Sequence, residues 1–396
     1  MVDGGRVAVV GGSVAGCAAA LAAHRGGAEE VTVYERTDGR LADRGVGVAM
    51  HDARYAELEA AGFLDAGMPW VQLTHRQWYV RDDAHPSPLG RPLAAMPFAF
   101  RTYNWGPLWR ELRARVPASV DFRTGTAVKQ LRLTTRGVEL DGEEYDVAVG
   151  ADGYRSLVRT AACPDAAPRY AGYLAWRGAC PEAGLPDAPR WPADQCAYVV
   201  FEGGHVVVYR ISDGAGGHRV NWVCYTTPPI GLCVPPDGGR GPAPALADHL
   251  ARLARHRLPP FFASLLEVTP PAERFVQPLY DFTAPHCATD RLALVGDAAT
   301  VARPHTGAGA VKALQDAAAL QSALTASATW AGALSAYDAE RTPAGHTMVE
   351  LGRTLGRALV QSTPAWHAMS GADLAEWWRT ADGGGAFGGR ALGRRP

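Results

Sequence analysis

At 396 residues, with 39 Lys and Arg against 40 Asp and Glu, the chain can bury a large core in two or three lobes and carries almost no net charge. That balance leaves no footprint for nucleic acid or an anionic membrane surface, and although 47% of residues are hydrophobic, no apolar run approaches the roughly 18 residues of a membrane span. Seven scattered cysteines without a C-x-x-C pair argue against a metal site or a disulfide framework, and the first strand begins too early for a signal peptide, so a reduced, cytoplasmic protein is expected.

Arg6 to Arg36 spells a strand-helix-strand unit: Val7 to Val10 is an apolar run for a buried parallel strand, Gly11 to Gly16 a small-residue turn, Cys17 to His24 an Ala-rich helix, and Val31 to Tyr34 the returning strand. The glycine pattern is Gly11, Ser13, Gly16. Gly11 permits a tight turn, Gly16 permits close packing of helix on strand, and the backbone around Ser13 at the helix start can reach a pyrophosphate. Glu35, ending the second strand, is placed to accept hydrogen bonds from a ribose. Next, Arg44-Gly45-Val46-Gly47-Val48 reads either as a backbone crossing close to a ligand, with the Arg44 guanidinium on a phosphate, or as a surface turn.

His51 to Asp65 and Trp105 to Val116 read as helices, and Thr74 to Arg81 and Ala95 to Thr102 as strands. Val120 to Leu140 reads as short strands. Tyr145 to Val149 is a buried strand leading into Asp152-Gly153-Tyr154-Arg155-Ser156-Leu157-Val158-Arg159, where a capped turn accounts for Asp152 and Ser156 and the spacing of Arg159 adds a functional reading.

From Tyr170 the texture turns aromatic, with two strands joined at Gly203-Gly204 and a third from Arg219 to Tyr225. His205 and Tyr209 share a face of one strand, and that face sees either substrate or core. Leu292 to Val295 then ends in Gly296-Asp297, a carboxylate at the edge where open α/β sheets bind ligands. Pro304 stiffens the following turn, Gly307 and Gly309 keep it bare, and a helix from about Ala310 points its positive end at whatever sits there. Leu334 to Arg353 and Trp366 to Thr380 read as helices buttressing the first lobe, and Gly383 to Pro396 is too Gly-rich to hold a helix.

The N-terminal unit with Glu35, the D-G phrase and the late G-D phrase together resemble the single-component FAD-dependent aromatic hydroxylases over most of the chain. YAGYLAWRG, GGHVVVYRI and GDAATVARPHTGAGAVKALQDA look most like the 2,6-dihydroxypyridine 3-monooxygenase branch. The resemblance implies an α/β, para-hydroxybenzoate hydroxylase-like fold: a Rossmann-like FAD lobe over 1–165 and 285–380, a β-rich substrate lobe over 166–284, C-terminal helices, and a flexible tail over 381–396. It implies that Gly11, Ser13 and Gly16 hold the FAD pyrophosphate, Glu35 the adenosine ribose and Arg44 the neighbouring phosphates, with Val14, Ala15, Arg36 and Val48 also at the cofactor. Asp297 would hold the ribityl chain and pyrophosphate region; the backbone of Thr306, Gly307, Ala308, Gly309 and Ala310 would sit against the flavin ring; Asp152 and Arg159 would serve FAD and NAD(P)H; and Gly153, Gly296 and Pro304 would line the cofactor site.

The implied chemistry takes NADPH or NADH and O2, forms a flavin C4a-hydroperoxide, and hydroxylates an electron-rich aromatic small molecule in a monomer or homodimer. His305, Tyr209 and His205 are the candidates for orienting or deprotonating it, since a histidine ordinarily titrates in the useful range. Several positions depart from the family pattern: Ser13, Thr300, Val311 and Trp105 stand where many members carry Gly, His, Asn and Arg. The W-x-W-x-I-P phrase of flavin halogenases is absent. Other FAD-dependent oxidations (epoxidase, oxidative decarboxylase or oxidase), a nicotinamide-dependent dehydrogenase and a flavin-binding sensor remain as alternatives.

Overall fold

The computed structural model describes residues 2, 4–38, 47–231, 233–235, 238–384 and 387–389. Among these residues the strands form three sheets. The first has five parallel strands in the order Leu292–Leu294, Val147–Gly150, Arg6–Val10, Glu30–Tyr34 and Asp121–Arg123. Such a sheet must be covered on both faces, and Val7, Ala8, Val9, Ala148, Ala293 and Leu294 are fully buried. The helices Val14–Arg25 and Gly309–Ala326 pack on each other through Ala-rich faces above it.

Register fixes where the ligand end lies. Val10 pairs with both Gly150 and Tyr34, and Gly150 pairs with Leu294. The chain leaves this common edge into Gly11, Asp152, Gly296 and Glu35, so motifs distant in sequence become neighbours at the carboxyl ends of adjacent strands.

The second sheet has ten strands and runs Gly239–Arg240, Phe275–Thr283, Arg169–Pro181, His218–Thr226, Gly204–Ser212, Gln195–Phe201, Trp70–Val80, Arg91–Asn104, Gly47–His51, with Thr300–Val301 paired to the end of Phe275–Thr283. Alternation divides its faces. Leu174, Trp176, Val206, Val208, Val220, Trp222 and Cys224 pack beneath the helices Pro244–Arg257 and Pro260–Val268. The opposite residues of the same strands, Tyr173, Ala175, Tyr209, Val223 and Tyr225 among them, cluster with Leu351, Leu355 and Leu359. A small third sheet, Leu131–Leu133, Val138–Leu140 and Glu143–Tyr145, flanks the first.

Several sequence expectations need amending. Four strands of the large sheet, Gly47–His51, Trp70–Val80, Arg91–Asn104 and Thr300–Val301, come from outside 166–284. Phe201 pairs with Gly204, so the hairpin turn is Glu202-Gly203, with Gly203 at φ +78°. The last helix, Gly371–Ala381, does not buttress the first lobe: its Leu374 and Trp378 pack on Trp78 and the second sheet, whose aromatic face offers the larger apolar surface. Phe387, in the tail expected to fray, is only 9% exposed and lies against Phe98, Phe100 and Trp378. Residues 390–396 of that tail, like Arg44, lie outside the described residues. No helix among the described residues is long and apolar enough to cross a membrane.

Candidate functional site

A cavity of about 1050 Å³ runs from the carboxyl edge of the parallel sheet to the inner face of the large sheet. At the first end, Gly11 has φ +104°, and a Cβ there would overlap the Ala151 carbonyl; a Cβ on Gly16 would overlap the Gly11 carbonyl oxygen. Ser13 and Ala308 precede the two helices whose starts line the cavity, and neither gives a side-chain cap. The first-turn N–H groups at Val14 and Ala15, and at Gly309 and Ala310, are therefore left for an anionic ligand.

Glu35 is 5% exposed at the cavity wall. Its Oε2 accepts from the Gly12 N–H at 2.7 Å and its Oε1 from the Thr37 N–H at 2.7 Å, so the carboxylate is aimed and each oxygen keeps a lone pair for a ribose hydroxyl. Arg36, Val48 and Trp105 line the same end; Trp105 stacks on Trp109, whose Nε1 donates to the Gly12 carbonyl at 2.9 Å.

In the D-G turn, Asp152 Oδ2 accepts from the Leu157 N–H at 2.7 Å, while its Oδ1 is buried at the cavity wall without a partner. Burial raises this carboxyl above the ordinary range. Gly153 lines the cavity beside it, but Arg159 does not reach it. Arg159 is 4% exposed, donates to the Tyr154 carbonyl at 2.7 Å and the Ala298 carbonyl at 3.4 Å, and lies 4.5 Å over the Phe282 ring. It ties the D-G turn to the G-D turn.

Gly296 turns at φ +59° and sets Asp297 open to the cavity. A buried network holds this turn from below. Asp316 accepts from the Gly296 N–H at 2.8 Å and pairs with Lys312 at 2.7 Å and Arg341 at 2.8 Å, while Lys312 donates to the Gly296 carbonyl at 3.1 Å.

At the far end the inner face of the large sheet forms the floor. Arg177 stands opposite Val223, Val223 opposite Val207, and Val207 opposite Tyr198; in the next row Tyr225 stands opposite His205. The face shared by His205 and Tyr209 is thus the cavity face, and His305 comes down on it from the Pro304 turn. The His305 ring is 4.3 Å from Tyr225 and 5.3 Å from His205. Its Nε2 lies 2.6 Å from the Tyr173 hydroxyl. The other ring nitrogen, Nδ1, is buried without a partner. His205 Nδ1 donates to the Leu359 carbonyl at 3.3 Å.

Burial overturns the expectation that these histidines titrate near neutrality: His205 is pushed down to about 3, and His305 well below the ordinary value, with neighbouring cations adding to the effect. Burial likewise raises the Tyr209 phenol. All three are neutral hydrogen-bonding groups. Sequence reasoning missed Arg177, Tyr225 and Tyr173; the alternation Tyr173, Ala175, Arg177 along one strand was the available signal.

The chain is similar to known FAD-binding proteins. An FAD binding domain model matches residues 244–351, and an FAD binding domain-like model matches residues 170–230. The chain is 30% identical over 339 residues to the 3-amino-4-hydroxybenzoate 2-monooxygenase of Streptomyces cremeus, covering 81% of this chain and 79% of that protein. It is 26% identical over 372 residues to the 2,6-dihydroxypyridine 3-monooxygenase of Paenarthrobacter nicotinovorans, covering 86% and 88%. The solved 2,6-dihydroxypyridine-3-hydroxylase from Arthrobacter nicotinovorans shares the fold, with a TM-score of 0.78 at 24% identity over 92% of this chain and 96% of that one.

Proposed function

The chain belongs to the single-component FAD-dependent aromatic hydroxylases, and from that premise we propose that it uses NADPH or NADH and O2 to hydroxylate an electron-rich aromatic or heteroaromatic small molecule. The observation that carries this reading is the continuity of one cavity from two uncapped helix starts to a floor of neutral histidines and tyrosines. Bound FAD supplies the electron transfer and oxygen chemistry, which no side chain can provide.

The protein's part is binding, orientation and exclusion of water. In this reading the bare turn Gly11 to Gly16 and the N–H groups of Val14 and Ala15 take the pyrophosphate, Glu35 the ribose, and Asp297 the ribityl chain. Arg36, Val48, Asp152 and Gly153 flank the nucleotide. The start of the helix at Gly309 faces the negative charge that a reduced flavin ring carries. The rigid turn from Pro304 through Gly307 and Ala308 lies along that ring. His305 Nδ1–H donates to a ring oxygen of the substrate, and His205 and Tyr209 orient the ring. Enclosure by the two sheets shields the reacting centre from water. The dihydroxypyridine and aminohydroxybenzoate named for the two relatives support the substrate class. A cytoplasmic location and a monomeric or dimeric state belong to the same reading.

The test is the visible spectrum of freshly purified protein and identification of the flavin released on denaturation, followed by a screen of hydroxylated pyridines and phenols for stimulated NAD(P)H oxidation and O2 uptake. A yellow protein releasing FAD, with stimulated turnover, is expected. A colourless protein that takes up no added FAD overturns the reading in favour of a nicotinamide-dependent dehydrogenase.

A further inference from the structure

One charged group on the substrate side of the cavity has no task in the reading above. Arg177, on the strand Arg169–Pro181, is half-buried and lines the cavity wall. Among the described residues it makes no ion pair or hydrogen bond, and its Nε is buried without a partner. Other buried arginines are satisfied differently. Arg210 pairs with Glu182, Arg303 with Asp281 and Arg341 with Asp316. Arg76 is caged by aromatic rings, 3.9 Å from Trp378, and does not reach the cavity.

The groups around Arg177 offer no negative charge. Its field falls on Tyr209, Tyr225 and His305, all neutral in this environment. The carboxylates lining the cavity, Glu35, Asp152 and Asp297, sit at the nucleotide end. His305 Nδ1 is a second buried polar atom without a partner. Among the described residues, the substrate end therefore presents an unmatched guanidinium and no carboxylate. A half-buried, unpaired guanidinium is unfavourable until an anion joins it, and its planar fork suits a carboxylate or an enolate-like ring oxygen.

We propose that Arg177 anchors an oxyanion carried by the substrate ring, so that the enzyme takes anionic aromatics, bearing a carboxylate or an acidic ring hydroxyl, in preference to neutral ones. This rests on the FAD hydroxylase reading and narrows its substrate class.

The experiment titrates the FAD-loaded, full-length protein with two matched pairs, following the perturbation of the flavin spectrum. The pairs are 4-hydroxybenzoate against 4-hydroxybenzamide and 2,6-dihydroxypyridine against 2,6-dimethoxypyridine. Wild type, Arg177→Gln and Arg177→Lys are compared, with FAD content and far-ultraviolet circular dichroism recorded for each. At least tenfold tighter binding of one anionic member over its neutral partner is expected. Arg177→Gln should erase that preference and Arg177→Lys restore part of it, with FAD content and fold unchanged. The pair that discriminates tells carboxylate from ring hydroxyl. Equal binding of charged and neutral members, no binding of either anionic probe, or a preference that survives in Arg177→Gln overturns the proposal. So does loss of FAD in Arg177→Gln alone, which would assign the arginine to the cofactor. A wild-type protein that holds no FAD overturns the hydroxylase reading as well.

Discussion

At the scale of single residues, one methyl group separates an open cradle from a blocked one. Gly16→Ala would drive a Cβ into the Gly11 carbonyl oxygen, and backbone cannot swing aside as a side chain does. The expected result is protein purified with little or no FAD and destabilised by roughly 1–3 kcal/mol in urea unfolding; full FAD occupancy in the variant would contradict it. Protonation acts at the same scale. The folded pKa of His205, about 3, lies below its ordinary value of 6.5, so between these limits the unfolded chain binds the extra proton. The stability His205 contributes is intact above about pH 6.5 and is lost as pH falls toward 3, at about 1.4 kcal/mol per pH unit. His305, lowered in the same direction, adds to the slope. Unfolding free energies measured from pH 7.5 to 5 should fall less steeply in His205→Asn than in wild type, and equal slopes would show that His205 is not held neutral.

At the scale of elements, the late G-D turn depends on the helix Gly309–Ala326, which supplies both its open N-terminus to the cavity and the Lys312–Asp316 pair beneath Gly296. Asp316→Asn would leave Lys312 and Arg341 buried together without a counter-charge. The expected loss is about 3–5 kcal/mol in urea unfolding, partly recovered when Lys312→Met removes one of the stranded cations; no loss would mean that the charges escape to water. The three ligand turns were legible in sequence because each is local: an apolar run, then small residues, joined in the D-G and G-D turns by a carboxylate, and a helix beyond. The helix Pro244–Arg257 also left a trace, with Pro244 in its first turn and Leu246, Leu250 and Ala254 recurring four apart, and went unread. The strand Gly47–His51 left none. Only its end-to-end pairing with Phe100 to Asn104 makes it a strand, and pairing across that distance has no local signature. For the site, the sequence placed His205 and Tyr209 on one face but not that face on the cavity, because the helices covering the other side decide the matter. The neutrality of both histidines was likewise illegible, since it follows from burial.

At the scale of the whole molecule, the two sheets are joined by more than a shared cavity. The helix Trp330–Gly356 buries Ala333, Leu334 and Tyr337 in the core of the parallel sheet and Leu351 and Leu355 in that of the large sheet. Gly345, Gly352 and Gly356 let it approach Thr300, Arg303 and Tyr173 more closely than any side chain would allow, which seats it against the segment that carries His305. Thr300–Val301, directly after the G-D turn, pairs with the end of Phe275–Thr283, so the chain crosses from one sheet's edge to the other within a few residues. Unfolding either core would strip the other of its cover. The holoprotein is therefore expected to unfold in one calorimetric transition, and removal of FAD to lower that transition without splitting it. Free FAD at a hundredfold over its dissociation constant adds about 2.7 kcal/mol, a shift of a few degrees in a chain of this size. Two resolved transitions in the holoprotein would mean that the long helix and the paired strand do not couple the cores, and that the floor bearing His205 and Tyr209 can loosen while the nucleotide stays bound.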